Sequence, residues 1–329
     1  MKKQAKKLII LAVLLVCAVG LYFGATYLAQ KEEEESAALA EETITAASFE
    51  QESVNAVNWT NSNGTFGIYK VTEDDSSQWK YLTDKALPLD QSIPSQLLSA
   101  CQSITAINEV AENPEDLDQY GLTSDAITVT FEMEDGSVNT YYFGSSSHDD
   151  GIYFKSSSSS MVYTVSFDSL SLFEGDEYSL VEKDSIPSYT NIEKITVIKL
   201  VKDEESGDEK EEKAVITASV SDDTTTYSCK KGDEKTELSE EEASSLESSL
   251  SSLSFDGCVN YKGEKEEYGL KAPAYKITVT GKNSDEEESE SYTLYLGSSA
   301  PGSSFYAYLK GSKKIFTITQ ESVADLINY

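Results

Sequence analysis

The chain has 329 residues, 39% of them hydrophobic and 10% aromatic, so it carries enough apolar surface for two ordinary cores and is no disordered chain. Acidic residues number 58 against 26 basic ones, a formal net charge of -32, and every basic residue is Lys because no Arg occurs. Such a field repels nucleic acid and anionic headgroups, which makes nucleic-acid binding the least favoured class and solubility in a wall or extracellular setting the simplest use of the acidity.

In chain order, Lys2, Lys3, Lys6 and Lys7 precede an uncharged run over 8–29, 22 residues long. At about 1.5 Å per residue it would cross a hydrocarbon core of roughly 30 Å. The pattern predicts a cytoplasmic tail (1–7), a single transmembrane helix (8–29) and everything later on the outside, because lysines stand on one side and four glutamates at 32–35 on the other. That places a single-pass protein in the plasma membrane with the bulk of the chain extracellular. A cleaved leader fits less well, since cutting after Ala29 or Ala25 puts Tyr27 or Phe23 where a small residue is needed. A lipoprotein reading through Cys17 is weaker still, because Val16 precedes it. Residues 30–50, glutamates among alanines, read as an acidic stalk.

A first domain over 51–183 opens with a three-strand meander: Val57 and Trp59, a turn at Asn63-Gly64, Phe66 to Val71, an acidic turn, then Trp79. A helix follows in which Ile93, Leu97, Leu98, Cys101 and Ile104 share a face, with Ser92 as cap and Pro94 in the first turn. Hairpins come next, one through Ile127, Val129 and Phe131 and back to Phe143, another through Tyr153-Phe154 and Val162, and a short helix ends at Phe173. The second domain, 184–329, repeats this order after a short turn at Pro187. It includes a capping box at Ser239 and Glu242, a helical face of Ala243, Leu246, Leu250 and Leu253, and a closing helix with Val323 and Leu326. The expected class is α+β: an N-terminal transmembrane helix, then two duplicated units of antiparallel sheet, each with one or two packed helices.

The duplication rests on matched motifs. Tyr120-Gly121-Leu122 returns as Tyr268-Gly269-Leu270, each 41 residues after an aromatic residue, Trp79 or Tyr227. Ile127-Thr128-Val129-Thr130 matches Ile277-Thr278-Val279-Thr280, and Tyr142-Phe143-Gly144-Ser145 matches Tyr295-Leu296-Gly297-Ser298, with offsets drifting only from 148 to 153. The tripeptide itself reads as structural, with Gly taking a turn conformation closed to bulkier residues and Tyr and Leu filling pockets on either side.

This order of elements resembles the bacterial envelope family DUF4340, a domain of unknown function. The resemblance rests on Trp79 with Leu87-Pro88-Leu89-Asp90, on Asn113-Pro114-Glu115-Asp116, and on the tripeptide with the hairpin ending at Gly144. It is strongest over 50–175. In the second half Tyr261-Lys262-Gly263-Glu264 replaces the Asn-Pro-Glu-Asp loop. The resemblance implies a short cytoplasmic tail, one membrane anchor and an outward body. It also implies an association with transporter-type permeases in some relatives, and no catalytic residues.

The residues themselves declare no reaction. The single histidine, His148, lies in a Ser-rich loop beside Asp149 and Asp150; no Gly-x-Ser-x-Gly elbow, phosphate-cradling loop or calcium-loop spacing is present, and the carboxylates are too many for any pair to stand out. No cofactor and no metal is expected. Cys229 and Cys258 could form a disulfide in an oxidising compartment, against two buried free thiols. Tyrosine, with 20 copies, is the suggestive type: Tyr141, Tyr142, Tyr153, Tyr163, Tyr292, Tyr295, Tyr306 and Tyr308 fall on predicted strands, and Tyr141, Tyr153, Tyr295 and Tyr306 are the candidates for a surface binding protein or glycan. The favoured function is a non-enzymatic, membrane-anchored envelope binding protein, accessory to a transporter-type permease. A wall-glycan or peptide hydrolase using two carboxylates and a passive spacer are the alternatives.

Overall fold

A computed structural model describes residues 44–73, 76–148, 151–202, 209–221, 224–284 and 287–329. The expected anchor, its tail and most of the stalk lie outside the described residues; among those described, no helix is long and apolar enough to cross a membrane. The chain is mostly antiparallel β with few helices, α+β in class.

The first sheet has nine strands: β1 (Ile44–Ser48), β2 (Val54–Asn61), β3 (Gly64–Glu73), β4 (Ser76–Tyr81), β5 (Ser103–Glu112), β6 (Ile127–Met133), β7 (Val138–Ser146), β8 (Ile152–Ser156) and β9 (Met161–Val165), in the order β1-β5-β9-β8-β7-β6-β2-β3-β4. The second also has nine: β10 (Asn191–Lys202), β11 (Glu209–Ser221), β12 (Thr224–Lys231), β13 (Glu234–Glu237), β14 (Cys258–Asn260), β15 (Tyr275–Lys282), β16 (Glu290–Ala300), β17 (Ser304–Leu309) and β18 (Ile315–Thr319), in the order β13-β12-β11-β10-β15-β16-β17-β18-β14. Without β1 and β13 the two orders coincide strand for strand. Register coincides as well. Val57 pairs with Ile68 and Phe131, as Ile195 pairs with Ile216 and Val279. The bulge between Val54 and Ala56 recurs between Ile192 and Lys194, and that between Phe143 and Ser146 recurs between Leu296 and Ser299.

Each sheet buries one face under helices. In the first half α1 (Ser92–Cys101) buries Leu97, Leu98 and Cys101, and a 3-10 segment, Asp168–Phe173, inserts Phe173 beside Trp59, Phe143 and Phe167. In the second half α2 (Glu240–Ser252) supplies Leu246 and Leu250, while α3 (Gln320–Ile327), standing where the first half has its 3-10 segment, supplies Val323 and Leu326. The capping box on α2 is complete: Glu242 N–H donates to Ser239 Oγ at 3.3 Å and Ser239 N–H donates to Glu242 Oε2 at 2.8 Å. A Ser239→Ala chain should lose about 1 kcal/mol in urea unfolding, with an unchanged m-value.

Three expectations need correction. Residues 44–48, assigned to the stalk, form β1, which pairs with β5 at the sheet edge. The first helix ends at Cys101, and Ile104 belongs to β5. Its start is held by Asp90, whose Oδ1 accepts from Ser92 N–H at 2.9 Å and Ser92 O–H at 2.8 Å; Ser92 is already helical and is not the cap.

The halves touch along a seam built from the loop in which they differ. Tyr261 donates its hydroxyl proton to Asp84 Oδ2 at 2.7 Å, Lys262 Nζ lies 3.4 Å from the same oxygen, and the Tyr261 ring meets Tyr178 at 6.0 Å. The Tyr261 hydrogen bond, then the Ala86 N–H, hold the Asp84 carboxyl below the usual carboxylate range. Lys314 Nζ pairs with Asp184 Oδ1 at 2.8 Å and donates to the Glu182 carbonyl at 2.7 Å.

Cys258 packs against both cores. All three described cysteines, Cys101, Cys229 and Cys258, are free, so the disulfide considered for Cys229 and Cys258 is absent. The reason is topological: β12 and β14 lie seven places apart in the sheet order, roughly 34 Å measured along the sheet at about 4.8 Å per step. Burial pushes the Cys258 thiol from 9.0 up to about 11. A raised folded value means that this contribution is complete below pH 9 and is lost as pH rises through 11. Discounted for partial exposure, about 1–2 kcal/mol is at stake. A Cys258→Ala chain should therefore lose less stability than the parent between pH 9 and 11 in parallel denaturant titrations.

Candidate recognition surface

Strand alternation sends Ile195 and Val197 inward with exposures of 0% and 2%, so Lys194, Thr196 and Ile198 of β10 face out. By the same rule Lys276 and Thr278 of β15, Lys213 and Val215 of β11, Tyr295 of β16 and Tyr308 of β17 share that outer face. Register lines five of them up across the strands as Lys213, Ile198, Lys276, Tyr295 and Tyr308. The Tyr295 and Tyr308 rings stack at 4.7 Å and 11°, and Lys265 Nζ stands 3.4 Å from the Tyr308 ring centroid. Burial lowers the Lys265 ammonium below the usual lysine value and, with the nearby Tyr295, raises the Tyr308 phenol. Among the described residues Lys194, Lys213, Lys230 and Lys276 take part in no ion pair. The carboxylates of β11, Glu209, Glu211 and Glu212, sit beyond Lys213 at one end of the strand, with Glu212 paired to Lys231 at 3.7 Å.

The same row in the first half reads Thr65, Thr60, Thr128, Tyr142 and Lys155. There the ammonium of Lys155 is tied to the carbonyls of Ser156 and Ser159, and a carboxylate, Glu132, accepts from Asn58 Nδ2 at 2.9 Å. Of these two matching rows, among the described residues, only that of the second sheet holds ammonium groups outside any ion pair or carbonyl contact.

The four candidate tyrosines divide. Tyr141 is only 1% exposed, packed on Phe131 at 5.2 Å and Phe154 at 5.3 Å, so it offers no surface; its neighbour Tyr142, the match of Tyr295, faces out. Tyr153 and Tyr306 stack edge-on against Tyr120 and Tyr268 at 5.0 and 4.9 Å, holding the repeat tripeptides over the outer faces. Gly121 and Gly269 stand at φ +65° and +67°, where an added Cβ would lie 2.8 Å from the Ser145 or Ser298 nitrogen. Ser145 and Ser298 donate to the Tyr120 and Tyr268 carbonyls at 3.1 and 3.0 Å, and Leu122 and Leu270 are buried beneath. Of the four candidates, Tyr295 is the one whose position lies in the lysine row. Lys213, Lys265 and Lys276 were absent from the sequence candidates; outward alternation in Tyr275-Lys276-Ile277 was the available signal. His148 is exposed, and among the described residues no three His, Cys, Asp or Glu side chains group to hold a metal ion.

The profile of the family described as Domain of unknown function (DUF4340) matches residues 79–273 and again 260–328, two segments that overlap. The chain belongs to this family. No curated protein and no solved structure matches it. As a DUF4340 protein it carries the outer-face row of its second sheet within the matched span. The seam loop from Tyr261 to Glu264 falls where the two DUF4340 segments overlap.

Proposed function

We propose that this DUF4340 protein is a membrane-anchored, non-enzymatic binding protein of the cell envelope. It engages another envelope component through the outer face of its second sheet, with the anchor supplied by the uncharged run at 8–29. The observation that carries the reading is a sheet face on which Lys194, Lys213 and Lys276 take part in no ion pair among the described residues, with Lys276 beside stacked tyrosines, in a chain whose net charge is -32. Ammonium groups left out of ion pairs amid such an excess of acid suit an anionic partner. Family resemblance favours a transporter-type permease as the assembly in which this happens.

The test is crosslinking in intact cells, tag purification, and analysis of attached protein and wall polymer for the parent and for a Lys213→Glu/Lys276→Glu chain. A specific component lost with the double variant supports the proposal. Recovery of the protein alone, or attachment indifferent to the double variant, overturns it.

A further inference from the structure

We infer that the ring of Tyr295 with the ammonium groups of Lys276 and Lys213 forms a binding site for an acidic glycan, a linear chain of sugar rings carrying carboxylates. The inference rests on the binding reading above and names its ligand. Both faces of the Tyr308 ring are in use, one stacked on Tyr295 and the other under Lys265 Nζ. Tyr308 covers one face of Tyr295, Lys276 is its cross-strand neighbour on the opposite side, and among the described residues no other ring stacks on Tyr295. An aromatic face beside an ammonium suits a ring that is apolar on one side and anionic at its edge.

Two strand steps further, past half-buried Ile198, stands Lys213, about 10 Å from Lys276 at roughly 4.8 Å per step. Ile198 adds an apolar contact between the two charges. Thr196 and Thr280 present hydroxyls on the same face. The strip crosses four strands, from Tyr295 on β16 to Lys213 on β11, so it fits an extended chain better than a compact ligand. An acidic peptide would satisfy the lysines but leave the ring face and Ile198 without a matching apolar plane.

The net charge of -32 shapes the binding curve. At about 0.01 M salt the Debye length is about 30 Å, so the field of the whole protein repels a polyanion before it reaches the strip; at about 0.15 M it shrinks to about 8 Å and the local lysines dominate; at about 1 M, with about 3 Å, their pull is screened too. Affinity therefore peaks at intermediate salt, whereas an ordinary basic patch on a basic protein weakens steadily.

The test uses the full chain in detergent with an oligogalacturonate as probe, against neutral dextran, polyglutamate and phosphatidylglycerol vesicles. Oligogalacturonate should bind best, with maximal affinity near about 0.15 M salt. Tyr295→Ala and Lys213→Gln/Lys276→Gln should each weaken binding about tenfold, and Tyr295→Phe should keep it, which separates ring stacking from a folding defect. Absence of binding, equal binding of polyglutamate or of vesicles, or a Tyr295→Ala chain that binds normally while folded overturns the inference. If crosslinking in cells still finds a component lost with the double lysine variant, the binding reading survives such a failure; if it finds none, both fall.

Discussion

A Gly297→Ala chain is expected to lose about 3 kcal/mol of stability, and Gly144→Ala about the same, although neither glycine needs a special backbone conformation. Their importance is close approach. A Cβ at Gly297 would sit on the Tyr268 carbonyl oxygen, with Leu270 Cδ2 at 2.8 Å and Cγ at 2.9 Å; one at Gly144 would meet the Tyr120 carbonyl oxygen, with Leu122 Cδ2 at 3.1 Å. The obstructing atoms are backbone and buried leucine, which cannot swing aside as a surface side chain can. Relief requires lifting the tripeptide loop, which gives up the Ser298 hydrogen bonds to the Tyr268 carbonyl, both at 3.0 Å, and the stacking of Tyr268 on Tyr306. Gly257→Ala is the control, because a Cβ there meets nothing within 4 Å. Urea unfolding of the three variants should rank Gly257→Ala near the parent and the other two well below it. Three overlapping curves would mean that the loop is not clamped to the sheet.

That lock was legible from the sequence because its parts repeat: Tyr-Gly-Leu and Gly-Ser return in the same order, and each copy closes the same contact. Alternation also revealed β6 and β15, whose inward Val129, Phe131, Ile277 and Val279 are separated by polar residues. It failed where its phase was ambiguous. Tyr141 and Tyr142 are adjacent and chemically equal, so only pairing of Val129 with Tyr141 settles which one enters the core. It failed again in β1, whose run Ile44-Thr45-Ala46-Ala47-Ser48 is too small-sided to look like a strand, although Ala46 and Ala47 are buried. In β5, irregularities between Ala106 and Asn108 and between Glu109 and Ala111 break the period. The lysine row lies further from reach, since Lys213 and Lys276 are 63 positions apart in the chain and become neighbours of Ile198 only through register. The departure at Tyr261 and Lys262 was visible as a difference between copies. That it exists to meet Asp84 was not, because Asp84 is 177 residues away.

Lys314→Met should loosen the join between the two halves, where its ammonium holds Asp184 at the start of the second and the Glu182 carbonyl at the end of the first. In the native chain both members of its ion pair are mostly buried, Lys314 at 17% and Asp184 at 20% side-chain exposure, and Asp184 Oδ2 has no hydrogen-bond partner. Asp184 therefore depends on the single contact at 2.8 Å, and the Glu182 carbonyl depends on the same ammonium. Removing the cation strands a partly buried carboxylate, a loss on the order of 3 kcal/mol, whereas removing both charges together is far milder. Lys314→Met/Asp184→Asn should accordingly recover most of what Lys314→Met loses. The loss falls on the seam and not on either core, so its signature is cooperativity: the parent should melt in one transition and Lys314→Met in two, each half keeping its own cluster of buried residues. A single unshifted transition would place the coupling entirely in Tyr261, Lys262 and Asp84. The split matters for recognition, because this seam, with Cys258 packed against both cores, helps fix how the lysine row of the second sheet is held relative to the first half, through which the chain continues toward its N-terminus.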